Sequence, residues 1–161
     1  QVAGTKTTIL DTRKTLPGYR ELEKKAVVHG GGANHRMNLS SAVMIKDNHI
    51  SVMGGITAAV RRTREHTNVP IEVEVRNLAD VKEAVELKVQ RILLDNMNND
   101  LIAESLRLIP PNIETEASGN MTLDRVSSVA RLGVKYISVG ALTHSAPSAD
   151  VSLMFQWEDP T

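Results

Sequence analysis

The sequence contains no cysteine, which excludes disulfides and thiolate metal sites. Aromatic residues make up 2% of it, so stacking platforms for bases or sugars are nearly absent and single-stranded nucleic-acid binding has little to build on. Net charge is lacking too: 19 Lys and Arg balance 19 Asp and Glu. Bulk attraction to nucleic acid or to a membrane surface is thereby removed as a driving force, although a local basic pocket is not. No apolar run approaches the roughly 20 residues that span a bilayer, and nothing resembles a signal peptide. The expectation is a cytoplasmic protein with no nucleic-acid partner and no membrane partner.

What is present is a core vocabulary of Val, Ile, Leu, Ala and Met in 161 residues. That length suits a single domain over residues 1–161, burying roughly 70% of the surface its unfolded chain would expose. Short apolar runs recur at 7–10 (TTIL), 42–45 (AVMI), 71–75 (IEVEV), 91–94 (RILL), 113–117 (IETEA) and 136–139 (YISV). Continuous β-branched runs suit parallel strands covered on both faces. Between them lie helical faces: Ile56, Ala59, Val60 and Thr63; Val81, Ala84 and Val85; Leu123, Val126, Val129 and Ala130. Gly133 marks a helix stop, and Asn77 with Asp80 a helix start. The order is strand–helix repeated about six times, which predicts a parallel sheet. No Gly-x-Gly-x-x-Gly follows the first strand, so a dinucleotide fold has little support. The prediction is α/β: an open, TIM-like β/α barrel of about six strands, since eight units need roughly 250 residues.

In such barrels the site lies at the C-terminal ends of the strands. Each predicted strand here runs into ionisable or glycine-rich sequence: Asp11, Arg13 and Lys14; Lys46, Asp47, Asn48 and His49; Glu72 and Glu74; Asp95 and Asn96; Glu116, Ser118 and Gly119; Gly140, Thr143 and His144. One charge after a strand is ordinary turn chemistry, but six charged ends form a pattern. Glu72 and Glu74 alternate with Val73 and Val75, so both glutamates share a face, and the lumen is the face that tolerates them. Two carboxylates about 7 Å apart repel by about 2 kcal/mol at an effective dielectric near 20. Arg13, Lys14, Lys46 or a Mg²⁺ ion would offset this.

The stretch HGGGANHR, 29–36, reads either as a connector or as a place where backbone N–H groups approach a ligand. The turns SGN (118–120) and SVGAL (138–142) stand before helices whose free N–H groups suit phosphate. Arg13, Arg36, Lys14 and Lys46 suit carboxylates or phosphates. Glu74 and Asp95 suit a metal, sugar hydroxyls or a developing positive charge. Of the five histidines, His29 and His66 read as surface residues and His49 as a residue orienting its turn. His35 and His144 are the candidate ligand contacts.

As a set, residues 9–36 (ILDTRKTLPGYRELEKKAVVHGGGANHR), VMIKDNHI, IEVEV, ILLDNM, EASGNMT and ISVGALTHSAPSADVSL closely resemble the quinolinate phosphoribosyltransferase family, also called nicotinate-nucleotide pyrophosphorylase (carboxylating). The resemblance runs over nearly the whole chain. It implies transfer of ribose 5-phosphate from phosphoribosyl pyrophosphate to the quinolinate nitrogen, with Mg²⁺, and loss of CO₂ to give nicotinate mononucleotide for NAD synthesis. It implies that Arg13, His35, Arg36 and Lys46 hold the quinolinate carboxylates and that Lys14 lies between the two substrates. Glu74 and Asp95 would lie near the ribose and the metal, with Lys14, Glu74 and Asp95 the catalytic set. Ser118, Gly119, Asn120, Gly140 and His144, with Lys14, would take the phosphate end. The family pairs its barrel with an N-terminal α/β domain in a homodimer or larger assembly. Residue 1 stands where that domain would already have passed, so the resemblance implies a barrel without it. A related pyridine acid as acceptor, or a barrel fragment that binds weakly without turnover, are the alternatives.

Overall fold

The computed structural model describes residues 2–156. Its elements are β1 (Thr8–Leu10), α1 (Arg20–His29), β2 (Val43–Ile45), α2 (Asp47–Met53), α3 (Ile56–His66), β3 (Ile71–Val75), α4 (Leu78–Glu86), β4 (Arg91–Asp95), α5 (Asn99–Leu108), β5 (Glu114–Ser118), α6 (Leu123–Ala130), β6 (Tyr136–Ser138) and α7 (Ala141–His144). The strands form one six-stranded sheet in the order β1-β6-β5-β4-β3-β2. All pairings are parallel. β1 and β2 are its two edges, so the barrel is open between them. Residues just after α1 lie along β1 at this seam: the Ala33 N–H donates to the Ile9 carbonyl at 2.8 Å, and the Asp11 N–H to the Ala33 carbonyl at 3.2 Å.

Alternation along the strands divides the residues between two environments. Val73, Val75, Ile92, Leu94, Ala117 and Ile137 face outward and are fully buried. They pack in one core with Val60, Val81, Ala84, Ile102 and Val129 of the surrounding helices. Glu72 and Glu74 face the lumen, as their spacing predicts. In register, Glu74 stands beside Leu93, and Leu93 beside Glu116. Asp95 stands beside Ser118. Caps hold the helix starts. The Asn77 side chain accepts from the Asp80 N–H at 3.0 Å, and the Asn98 side chain from Leu101 at 2.9 Å.

Each strand lies within a residue of its predicted run. The helices α1, α2 and α5 were not among the predicted helical faces. In α1 the reason is physical: only Lys24 and Val27 are buried, so its inward stripe is narrow and half of it is a charge. The three-glycine run also differs from a ligand cradle. The N–H groups of Gly30, Gly31 and Gly32 all donate to α1 carbonyls, each at 3.0 Å. A Cβ on Gly32 would lie 2.8 Å from Val27 Cγ1 and 3.1 Å from the Ile9 carbonyl oxygen. The run lets the chain turn tightly back onto β1. Among the described residues no helix is long and apolar enough to cross a membrane.

Leu94 is 0% exposed at the centre of this core. Leu94→Ala is expected to destabilise the fold by about 2–5 kcal/mol through lost burial and the cavity left behind, measured by urea denaturation.

Candidate functional site

The C-terminal strand ends surround a cavity of about 290 Å³ whose walls include Arg13, Lys14, Arg36, Lys46, Glu74 and Asp95. His35 and Ser118 also line it. A neighbouring recess of about 510 Å³ holds Gly119, Asn120, Gly140 and His144, and shares Lys14, Asp95 and Ser118 with the first. The residues that the family resemblance assigns to the site thus gather at one mouth with two adjoining compartments, whereas Asp11, Asp47, Asn48, His49, Glu72 and Thr143, also singled out at strand ends, line neither.

In the first compartment Lys46 is paired with Glu74, while Arg13 and Arg36 have no carboxylate within ion-pair distance among the described residues. Burial, and next the Arg13 charge beside it, pull the Arg36 guanidinium below its usual pKa. Arg36 Nη1 donates to the Ala42 carbonyl at 3.0 Å. Arg13 Nε is buried without a partner among the described residues. Two guanidinium groups held near each other despite repulsion make a receptor for an anion, and their fork geometry suits carboxylates.

The acids on the far wall are matched. Glu74 Oε2 lies 3.0 Å from Lys46 Nζ, and its Oε1 lies 3.3 Å from Arg76 Nη2. Arg76 also reaches Asp47 at 3.2 Å and Asp95 at 3.5 Å. Sequence reading missed Arg76. It is the first residue after β3, where the strand-end rule that found its neighbours applies equally.

Below the mouth lies a third group. His35 Nε2 is 3.2 Å from Glu72 and 3.4 Å from Glu116. Burial opposes charge on the ring, but hydrogen bonding and attraction from Glu116 and Glu72 prevail and push its pKa up to about 9. Burial raises the Glu72 carboxyl. For Glu116 burial acts upward as well, yet His35 and Arg91 outweigh it and the pKa is lowered. His35, Glu72 and Glu116 have a spacing that could hold a metal ion. The ring's other nitrogen argues against it. His35 Nδ1 accepts the Arg36 N–H at 2.7 Å, whereas a metal-bound imidazole donates from its free nitrogen. A second proton, at Nδ1, would cost the ring that Arg36 bond. Deeper still, Arg91 pairs with Glu114 at 2.8 Å and Glu116 at 3.0 Å, and lies over the Tyr136 ring.

Asp11 does not face the mouth. It is 0% exposed and pairs with Lys24, equally buried. Asp11 Oδ1 also accepts the His35 N–H at 2.8 Å, and Lys24 Nζ donates to the His35 carbonyl at 3.0 Å. Lys24 is the second residue missed from sequence; its spacing of three from the buried Val27 was the available signal.

At the second compartment, Gly119 has φ +95° and a Cβ there would overlap the Asn96 side-chain oxygen. Asn120 has φ 50°, and its Nδ2 donates to Asn96 Oδ1 at 3.2 Å. A Cβ on Gly140 would lie 3.0 Å from His144 Nε2. The helices behind these turns are α6, capped by Thr122, and the four-residue α7. His29 and His66 are exposed, and His49 Nδ1 accepts the Lys46 N–H at 3.0 Å, orienting its turn.

Fold and site together define a parallel β/α barrel with an anion-receptive mouth at its strand ends. The family model described as quinolinate phosphoribosyl transferase, C-terminal domain, matches residues 1–154; the chain belongs to this family. It is 46% identical to the chloroplastic nicotinate-nucleotide pyrophosphorylase [carboxylating] of Oryza sativa subsp. japonica, covering 93% of this chain and 46% of that protein. It is also 46% identical to a probable nicotinate-nucleotide pyrophosphorylase [carboxylating] of Synechocystis, covering 94% of this chain and 53% of the relative. Among solved structures, NadC from Streptococcus pyogenes superposes with a TM-score of 0.85 at 43% identity, covering 90% of this chain and 52% of that one. Orotidine 5'-phosphate decarboxylase from Pyrococcus horikoshii, at 17% identity and a TM-score of 0.52, shares the fold alone. The chain spans about half the length of the curated relatives it matches.

Two outcomes follow from the site. The folded chain holds the His35 proton more tightly than a free histidine at 6.5. The stabilisation is therefore whole below about pH 6.5 and is lost as pH rises through about 9. Glu72, raised by burial, acts in the same direction. Melting temperature is expected to fall over that interval, and less steeply in His35→Gln. Separately, Gly119→Ala forces a left-handed φ on alanine and is expected to cost about 1–3 kcal/mol, read from thermal melting.

Proposed function

We propose that this chain is the barrel portion of an enzyme that transfers ribose 5-phosphate from phosphoribosyl pyrophosphate to quinolinate and releases CO₂, giving nicotinate mononucleotide and pyrophosphate in NAD biosynthesis. The observation that carries the reading is the single mouth in which Arg13, Arg36 and Lys46 face Glu74 and Asp95, with the glycine turns adjoining. Relatives bearing carboxylating pyrophosphorylase names support it.

In this reading Arg13 and Arg36, with Lys46, hold the two ring carboxylates and thereby fix the nitrogen for attack. Arg36 lies beside His35, whose buried ring keeps that wall rigid. The turns at Ser118–Asn120 and Gly140, with His144, receive the phosphate end. As pyrophosphate departs, positive charge grows on the ribose, and Glu74 and Asp95 stabilise it from the opposite wall. Lys14 borders both compartments and offsets charge on the leaving group. No enzyme nucleophile is needed. Once the nitrogen is quaternised, the C–C bond to the C2 carboxylate breaks, and the pair left on C2 is stabilised by the adjacent positive nitrogen until a proton arrives.

The residues fit Mg²⁺. Asp95 borders both compartments, and its side-chain contacts among the described residues fall on Oδ2 alone. Glu74 could join once Lys46 or Arg76 lets go. When bound, the ion would neutralise the pyrophosphate oxygens. A cytoplasmic setting and a homodimer in which the family's N-terminal α/β domain closes the mouth complete the proposal. Nicotinate as acceptor is less favoured, because the cations gathered here exceed what one carboxylate needs.

Incubation with both substrates and Mg²⁺, with the N-terminal domain supplied, should release CO₂ in step with pyrophosphate; turnover without CO₂ would reject quinolinate. Arg36→Ala leaves one substrate carboxylate unpaired and should weaken quinolinate binding by about 2–5 kcal/mol, measured by calorimetry.

A further inference from the structure

Asp11 and Lys24 take no part in the mouth, yet both side chains are 0% exposed. Burying two charges is costly, and such a pair is weak evidence for stability by itself. Their partners show what they hold. Asp11 Oδ1 accepts the His35 N–H at 2.8 Å, and Lys24 Nζ donates to the His35 carbonyl at 3.0 Å. Both backbone groups of one residue are thus gripped by the two members of one ion pair. Asn34 adds to the grip: with its amide turned to satisfy both neighbours, Nδ2 lies 2.6 Å from Asp11 Oδ2 and 2.9 Å from the Lys24 carbonyl.

The location gives the grip its purpose. Residues 33–36 cross the open seam between β1 and β2, where the sheet offers no continuous ladder to hold them. The only backbone pairing to a strand in this segment, among the described residues, is at Ala33. Beyond it the chain carries His35 against Glu72 and Glu116, and Arg36 into the cation-lined compartment. Arg36 is the next residue along, its backbone N 2.7 Å from His35 Nδ1. An error in the His35 backbone would therefore move both the ring and the guanidinium.

We propose that Lys24 and Asp11 are positioning residues: a buried latch between α1 and the end of β1 that sets the seam segment so that Arg36 meets the dicarboxylate. This rests on the functional reading above. It assigns to two residues with no access to substrate the task of specifying where a substrate-binding cation, Arg36, stands.

The test uses the full chain with the double change Asp11→Asn and Lys24→Met, which removes both charges together and leaves neither stranded. Lys25→Met, at the exposed neighbouring position, is the control. Three readouts are taken: a cooperative melt, calorimetric affinity for pyridine-2,3-dicarboxylate and for inorganic pyrophosphate, and the NMR signals of the His35 ring. The expected result is a cooperative melt, shifted His35 signals, and dicarboxylate affinity lower by about ten-fold, the scale of one hydrogen bond to a charged group. Pyrophosphate affinity stays unchanged. His35 signals that match those of the wild type overturn the latch, as does an equal loss of both ligands, which would mark general loosening. If the wild-type chain itself fails to bind the dicarboxylate, the functional reading fails. The His35 signals then decide the latch alone, shifted in its favour and unshifted against it.

Discussion

Carboxylates buried inside this barrel need opposite charges, because burial removes the water that would otherwise solvate them. The structure meets that requirement in tiers. At the base, Arg91 bridges Glu114 and Glu116. Above it, His35 lies between Glu116 and Glu72. At the rim, Glu74 lies between Lys46 and Arg76. The anions are thus accounted for from floor to rim. What is left over is positive, at Arg13 and Arg36, and it stands where a ligand can reach it. The character of the mouth is the remainder of the neutralisation beneath it.

This also explains the division of labour between the two faces of each strand. The outer face carries the apolar contacts that bind the helices, and it supplies the stability. The inner face carries almost none of that and is free to vary in chemistry. Leu93 is among its few apolar residues. A barrel built this way can hold several costly charges because the helices outside offset their burial. The open seam is where the arrangement is weakest, since β1 and β2 do not pair. There an ion pair and a glycine turn hold the chain that a ladder holds elsewhere.

The strands were legible because short runs bearing Val, Ile, Leu or Thr recur between the helical faces, and the inward direction of Glu72 and Glu74 followed from their spacing of two. The residues of the mouth were legible one strand end at a time, and the family resemblance placed them together. The rest was hidden for physical reasons. Lys24 lies in a helix whose charged residues all look alike in sequence; only its partner, thirteen positions earlier, distinguishes it from Lys25. The glycines at 30–32 read equally well as a ligand cradle, and only the donation of their N–H groups to α1 removes that reading. Glu116 was visible as a strand-end acid, but its coupling to His35 joins elements far apart in the chain.

By itself the sequence determined the order of strands and helices, the parallel sheet, and which side chains share a strand face, because those depend on periods of two and 3.6 that are local to each segment. The tertiary structure alone decided which charges neutralise one another, where the barrel stays open, and which cations remain unmatched at its mouth. Pairing depends on distances between elements, and those are set by the closure of the sheet and the packing of its helices rather than by any one stretch of residues.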